Sequence, residues 1–340
     1  MPTPDPAAII ADAEWLPHRY DAVSDTVNFR NVPRPRHRGR PFLTDEYLGE
    51  AGEIVPVPLA HAMAGAPPGR LHFIFHSAFC ASTLLARACD APGLAMGMSE
   101  PVILNDIVGI RRRGAEPKSV ARMLDGAMRL LARPFAPEEA VVVKPSNIVN
   151  PLIPAMLAIR NDAKAVLLHA PLPVFLASVA RKGIWCRLWA RELLEGQLTD
   201  RVVDFGMTPQ DHFRQTDLQV AAVGWLAQHA LFTRLVEKFP DRIRTLDSET
   251  LVARPRETIS ALFEHFGLAV DDAAIDAVAH GPAFTRHSKF GGEFSAAARA
   301  AEQRSSSDAH ADEIAKVTEW AEVIADAAHI GLVLPATLIG

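Results

Sequence analysis

The 340-residue chain has only three cysteines, Cys80, Cys89 and Cys186, and neither their number nor their spacing suits a disulfide framework or a zinc site. That usage fits a reducing compartment, so the expected location is the cytoplasm. Positive charge is also short, since 35 Lys and Arg face 40 Asp and Glu for a net charge of −5. General attraction to nucleic acid is excluded on that balance, no nucleic-acid partner is expected, and any basic site must be local. Every long apolar stretch is broken by charge before it could cross a bilayer. The opening residues, with prolines at 2, 4 and 6, lack the basic start and apolar run of a secretory signal. Neither an internal repeat nor a low-complexity tract is found.

What is present is a globular composition, with 49% hydrophobic and 22% charged residues. Residues 1–66 are rich in proline and arginine and show no sustained period. They read as an N-terminal extension with one helix near residues 7–15, whose basic run at 31–40 faces water. From about residue 70 short β-type runs alternate with helical patterns. Strands are expected at 71–75, 140–143, 165–168 and 242–246. Helices are expected from Ser82 and at 116–131, 153–160, 217–239 and 255–266, with one from Val174 to Arg181 that bends on through Leu194. Such alternation predicts an α/β fold with a mostly parallel sheet of about four or five strands flanked by helices. The expected units are the extension 1–66, the α/β domain 67–300, and a helical tail 301–340 packed on the same domain, with a turn at 304–308.

The segment 71–87 carries the most chemistry. An apolar strand breaks into Cys80, Ala81, Ser82 and Thr83 and restarts as a helix, which is the plan of a phosphate cradle. The plainer reading is that Ser82 or Thr83 caps the helix. Because the loop lacks the glycines and lysine of the GxxxxGK[ST] pattern, a nucleoside triphosphatase is disfavoured.

Four more segments fall near predicted strand ends. Glu100 and Asp106 can act as bases or structural acceptors, and Lys144 ends a strand just before Pro145, Ser146 and Asn147. A lysine there can neutralise a transferring phosphoryl or sulfuryl group, although a plain solvent-facing lysine would read the same way. His169, Ser178, Arg181 and Lys182 surround a second strand-to-helix passage, and residues 284–294 form a basic loop bearing Gly291 and Gly292. Arg187 and Arg191 lie one helical turn apart, while Trp185 and Trp189 read as core.

In this order, over about residues 70–295, the motifs resemble the sulfotransferase family. The resemblance implies a P-loop-like α/β fold and transfer of a sulfuryl group from 3′-phosphoadenosine 5′-phosphosulfate to a hydroxyl or amine of a small-molecule or other acceptor, with no metal expected. It implies that Cys80, Ala81, Ser82 and Thr83 hold the 5′-phosphosulfate and that Ser178 contacts the 3′-phosphate, with His169 where the family has arginine. By the same resemblance Arg286, Lys289, Gly291 and Gly292 close over the nucleotide, and Lys144 with Ser146 or Asn147 falls where the family places a lysine and a base. The chain departs from the pattern at Phe79, Cys80 and Ala81, where the family has a cation beside Ser-Gly-Thr. Lys144 is the nearest substitute, and His76, at a strand end, is the expected base. Two other functions remain open: a nucleotide- or phosphate-binding protein without transfer, and a phosphotransferase, whose magnesium ligands are not found in the sequence.

Overall fold

The computed structural model describes residues 5–49, 52–285 and 296–340. Among the described residues, eight strands form two sheets. β1 (Trp15–Asp21), β2 (Thr26–Asn31) and β3 (Ile54–Pro58) make an antiparallel meander. β4 (Leu71–His76), β5 (Ala95–Ser99), β6 (Ala140–Lys144), β7 (Ala165–His169) and β8 (Ile243–Asp247) make a parallel sheet in the order β5-β6-β4-β7-β8. Parallel pairing requires a crossover between neighbours, and helices supply it on both faces.

The side-chain period of two divides the interior. Phe73, Phe75, Met96, Met98, Val141, Val143 and Leu167 enter one core, into which Val27, Phe29 and Val57 of the meander also pack. Ile74, Ala95, Ala140, Val142, Val166 and Leu168 enter the other, beneath Leu84 and Leu85 of the helix Ser82–Ala88. This helix lies so close to β5 that a Cβ on Gly97 would sit 2.1 Å from the Ala86 carbonyl oxygen. Glycine is therefore required where helix and strand touch.

Several expectations are corrected. The segment before residue 66 has its first helix at Pro6–Ala11, but it also contributes three strands and three further short helices, because apolar residues recur between its prolines. Its basic run is largely structural. Arg34 bonds Glu139 at 2.7 Å and Asp90 at 3.2 Å, and Arg36 bonds the Leu48 carbonyl at 2.6 Å. Strand β5 was not expected, and the bend after Arg181 is a break at which Gly183 takes a left-handed φ of 72°. Residues 304–308, expected as a turn, lie within the helix Ala296–Ala327. The buried Arg133 ties the N-terminal segment down, donating to the carbonyls of Ile10 at 2.8 Å, Asp12 at 2.9 Å and Trp15 at 2.6 Å.

Candidate active site at the carboxyl edge of the parallel sheet

The last residues of β4, β5 and β6 carry polar groups onto the face that holds the helix Ser82–Ala88. Lys144 ends β6, is wholly buried, and pairs in register with Ser99. Its ammonium ion-pairs with the Glu100 carboxylate and lies 4.9 Å from the centre of the Phe42 ring. Taking an ammonium out of water costs several kcal/mol, so a buried lysine persists only with such partners. Glu100 is bent into place, its φ at 52° and its N–H donating to the Lys144 carbonyl at 2.7 Å.

His76 ends β4 beside this pair. Its Nδ1 accepts the Ala78 N–H at 3.1 Å, which puts the proton of the neutral ring on Nε2, facing the Pro145 carbonyl at 3.1 Å. A Glu100 carboxylate oxygen stands 4.0 Å from the same Nε2. The structure thus brings His76, Glu100 and Lys144 together, with both His76 ring nitrogens facing main-chain partners.

Above the cluster the chain turns from β4 into the helix through Ala78, Phe79 and Ala81, all left-handed, with φ of 73°, 52° and 62°. Each such non-glycine residue costs roughly 1 kcal/mol or more. Supports hold the turn: Asn150 donates to the His76 carbonyl at 3.0 Å, Gln228 donates to the Ser77 carbonyl at 3.3 Å, and the Ser77 N–H bonds Leu168 at 3.1 Å. Among the described residues, no backbone carbonyl or side chain takes a hydrogen bond from the N–H groups of Phe79, Cys80, Ala81 or Thr83. No side chain caps this helix. The Cys80 thiol is buried in the core, and burial pushes its pKa up. Ser82 and Thr83 lie at the first turn, both buried.

The β7 end differs. His169 is buried, its Nδ1 4.0 Å from Asp247 and its ring 5.1 Å from that of His229. His229 stacks on Trp225 at 3.5 Å, and neither of its nitrogens has a hydrogen-bond partner among the described residues. Burial pushes both histidines below their ordinary pKa. Ser178 is half-buried on the helix Leu172–Arg181. Arg286, Lys289, Gly291 and Gly292 lie outside the described residues.

Of two expectations on the following helix, Gly183–Thr199, one changes and one holds. Trp185 is 80% exposed and not core. Arg187 and Arg191 do share a face, and both reach Asp217, at 3.8 Å and 2.7 Å. Lys182 places its ammonium 4.7 Å from the centre of the Phe79 ring, next to the turn. Sequence reasoning missed Asn150, Gln228 and Phe42. Only Gln228 carried a signal, as a polar residue within the apolar middle stretch of its helix, beside His229.

Among the described residues, no three His, Cys, Asp or Glu side chains are grouped to hold a metal, and no helix is long and apolar enough to cross a membrane. No protein-family model and no curated protein sequence matches the chain. Among solved structures, it is similar to a sulfotransferase domain from the curacin biosynthetic pathway, at 16% identity over 66% of this chain and 81% of that one, with a TM-score of 0.40. It is also similar to the sulfotransferase STF1 from Mycobacterium tuberculosis H37Rv, at 14% identity over 65% of this chain and 76% of that one, with a TM-score of 0.40.

Proposed function

We propose that the chain transfers a sulfuryl group from 3′-phosphoadenosine 5′-phosphosulfate to a hydroxyl or amine of a small acceptor. The observation that carries this reading is the buried Lys144, held by Glu100 at the carboxyl edge beneath the turn 77–81. The order of sequence motifs supports the same reading. In the reaction the acceptor oxygen or nitrogen attacks sulfur, and the bond from sulfur to the bridging phosphate oxygen breaks. The nucleotide leaves with the electron pair, and the acceptor's proton goes to a base.

In this reading the N–H groups of the turn and the hydroxyls of Ser82 and Thr83 receive the phosphosulfate. Lys144 meets the charge that grows on the leaving oxygen, a role that needs a cation already in place before the reaction. Glu100 is the preferred base. Both His76 nitrogens face main-chain groups, so His76 serves to hold the turn, and its carboxylate neighbour takes the proton. Calorimetry with 3′-phosphoadenosine 5′-phosphate, and with ATP plus magnesium, tests the donor class. Tighter binding of the bisphosphate, together with transfer of labelled sulfate to a screened acceptor, is the expected outcome. Binding of the bisphosphate with no transfer to any acceptor would favour a nucleotide-binding protein, and magnesium-dependent ATP binding would favour a phosphotransferase.

A further inference from the structure

A cavity of about 550 Å³ opens beside the C-terminal turn of the helix Ser82–Ala88, between β5, the residues around Leu43, and the helix Asp272–Ala279. Its volume lies within the range that takes drug-sized ligands. Most of the wall is apolar, contributed by Leu43, Leu94, Ala274, Ala277, Val278 and Ala283.

The charges on the wall do not cancel. Asp90 is matched by two arginines, with Arg38 Nε at 2.7 Å from one carboxylate oxygen and Arg34 at 3.2 Å from the other. Arg87 and Arg40 also line the cavity, and neither has an ion pair or a side-chain hydrogen bond among the described residues. The Nε of Arg87 is buried without a hydrogen-bond partner, and burial pushes its pKa down. Ser99 Oγ and His37 Nε2, from two further lining residues, are likewise buried and unpartnered. Buried polar atoms in folded proteins nearly always find partners, so three such atoms around one apolar cavity, with the exposed Arg40 at its rim, mark groups whose partner is a ligand.

We propose that this cavity binds an amphipathic organic anion, whose apolar body lies against the alanines and leucines and whose single acidic group bonds Arg87 and Arg40. The paired Asp90 argues against a cationic ligand. The apolar wall argues against a nucleotide, whose phosphates and ribose need polar neighbours along their whole length. The site is distinct from the carboxyl-edge cluster yet adjacent to it. Ser99 and Leu43 line the cavity, and their sequence neighbours, Glu100 and Phe42, hold Lys144. The proposal does not depend on sulfuryl transfer.

The test uses the full chain and two fluorescent probes with nearly the same aromatic body, 1-anilinonaphthalene-8-sulfonate and its neutral analogue N-phenyl-1-naphthylamine. The expected result is saturable binding of the sulfonate by the wild type, weakened about tenfold or more in Arg87→Gln, with the neutral probe unaffected, because only the anion uses the guanidinium. Ala274→Trp fills the cavity and should abolish both. Lys144→Met, which leaves the cavity wall intact, should bind both as the wild type does. Should Arg87→Gln fail to fold, Arg40→Gln makes the same charge test. Equal loss of both probes in the arginine variants, or undiminished sulfonate binding in Ala274→Trp at an unchanged melting temperature, overturns the proposal.

Discussion

Two strand-to-helix passages at the same edge of the parallel sheet solve one problem in opposite ways. After β8, Asp247 caps the helix Ser248–Ala253, its carboxylate accepting the N–H groups of Glu249 at 2.7 Å and Thr250 at 3.2 Å. After β4, three left-handed residues enter the helix Ser82–Ala88, no N-cap side chain closes it, and the N–H groups of Phe79, Cys80, Ala81 and Thr83 have no acceptor among the described residues. Every helix start leaves four N–H groups to be satisfied. One passage satisfies two of them with its own carboxylate, whose negative charge also disfavours an anion there. The other accepts strain and leaves its donors to the surroundings, and a buried lysine lies beneath it. The β4 passage is thus the one whose donors the proposed phosphosulfate would take up.

The sharpest way to break this contrast is at Lys144. In Lys144→Met, single-turnover sulfuryl transfer should fall on the order of a hundredfold to a thousandfold, the effect of removing one preorganised donor, while affinity for the desulfated nucleotide falls much less. Lys144→Arg should rescue only part of the loss, since the planar guanidinium is larger and aims its donors differently. A rate unchanged in Lys144→Met would remove this lysine from the mechanism.

A reciprocal pair of variants sharpens the contrast directly. Ser82→Ala combined with Thr83→Val should weaken nucleotide binding roughly tenfold or more, the cost of losing hydrogen bonds to a charged group, at little change in melting temperature. Asp247→Ala should do the reverse, costing about 1 kcal/mol of stability through the lost cap while binding persists. If the double variant melts early and binds normally, Ser82 and Thr83 serve the fold alone.

How far each passage could be read from residue types follows from what each uses. The helix Pro255–Phe266 was legible to the residue, with proline in its first turn and Gly267 left-handed at its end. β4, β6 and β7 announced themselves as apolar runs. β5 did not, because Ala-Met-Gly-Met-Ser has no β-branched residue and owes its place to the contact that Gly97 permits. The meander hid behind Pro17, Pro56 and Pro58. At the site, Lys144 was visible as the polar end of a valine run. Its partner was not, since Glu100 lies 44 residues away and pairing across that distance is set by sheet order alone. The strain of the turn was also hidden, because alanine and phenylalanine occupy conformations that usually advertise themselves by glycine.

Acid should act through the β7–β8 side. Burial lowers the pKa of His229 and of His169, so below about pH 6.5 the unfolded chain binds protons that the folded chain refuses. With more protons bound in the unfolded state, stability falls as pH falls, by at most about 1.4 kcal/mol per pH unit for each group. The melting temperature should therefore drop between pH 7 and pH 5, and drop less in His229→Phe, which keeps an aromatic ring against Trp225. An equal slope in the variant would assign the acid sensitivity to the buried His37 and His72 and the half-buried His265, each pushed down to about 4.

The smallest effect bears on strain. Ala81 holds φ at 62°, where an alanine Cβ crowds the following carbonyl and glycine does not. Relieving that crowding recovers about 1 kcal/mol, but glycine also gives the unfolded chain more freedom, worth about 0.5–1 kcal/mol in the other direction. Ala81→Gly should thus raise stability by no more than a few tenths of a kcal/mol, within reach of paired denaturant titrations. Nucleotide affinity reads out the same change with the opposite sign. Alanine keeps the turn in its binding shape before the ligand arrives, whereas glycine lets it sample others, so affinity should fall by a few-fold at most. If affinity rises together with stability, the left-handed alanine is a defect of the turn and not a preorganising device, and the contrast with the capped passage after β8 would rest on Lys144 alone.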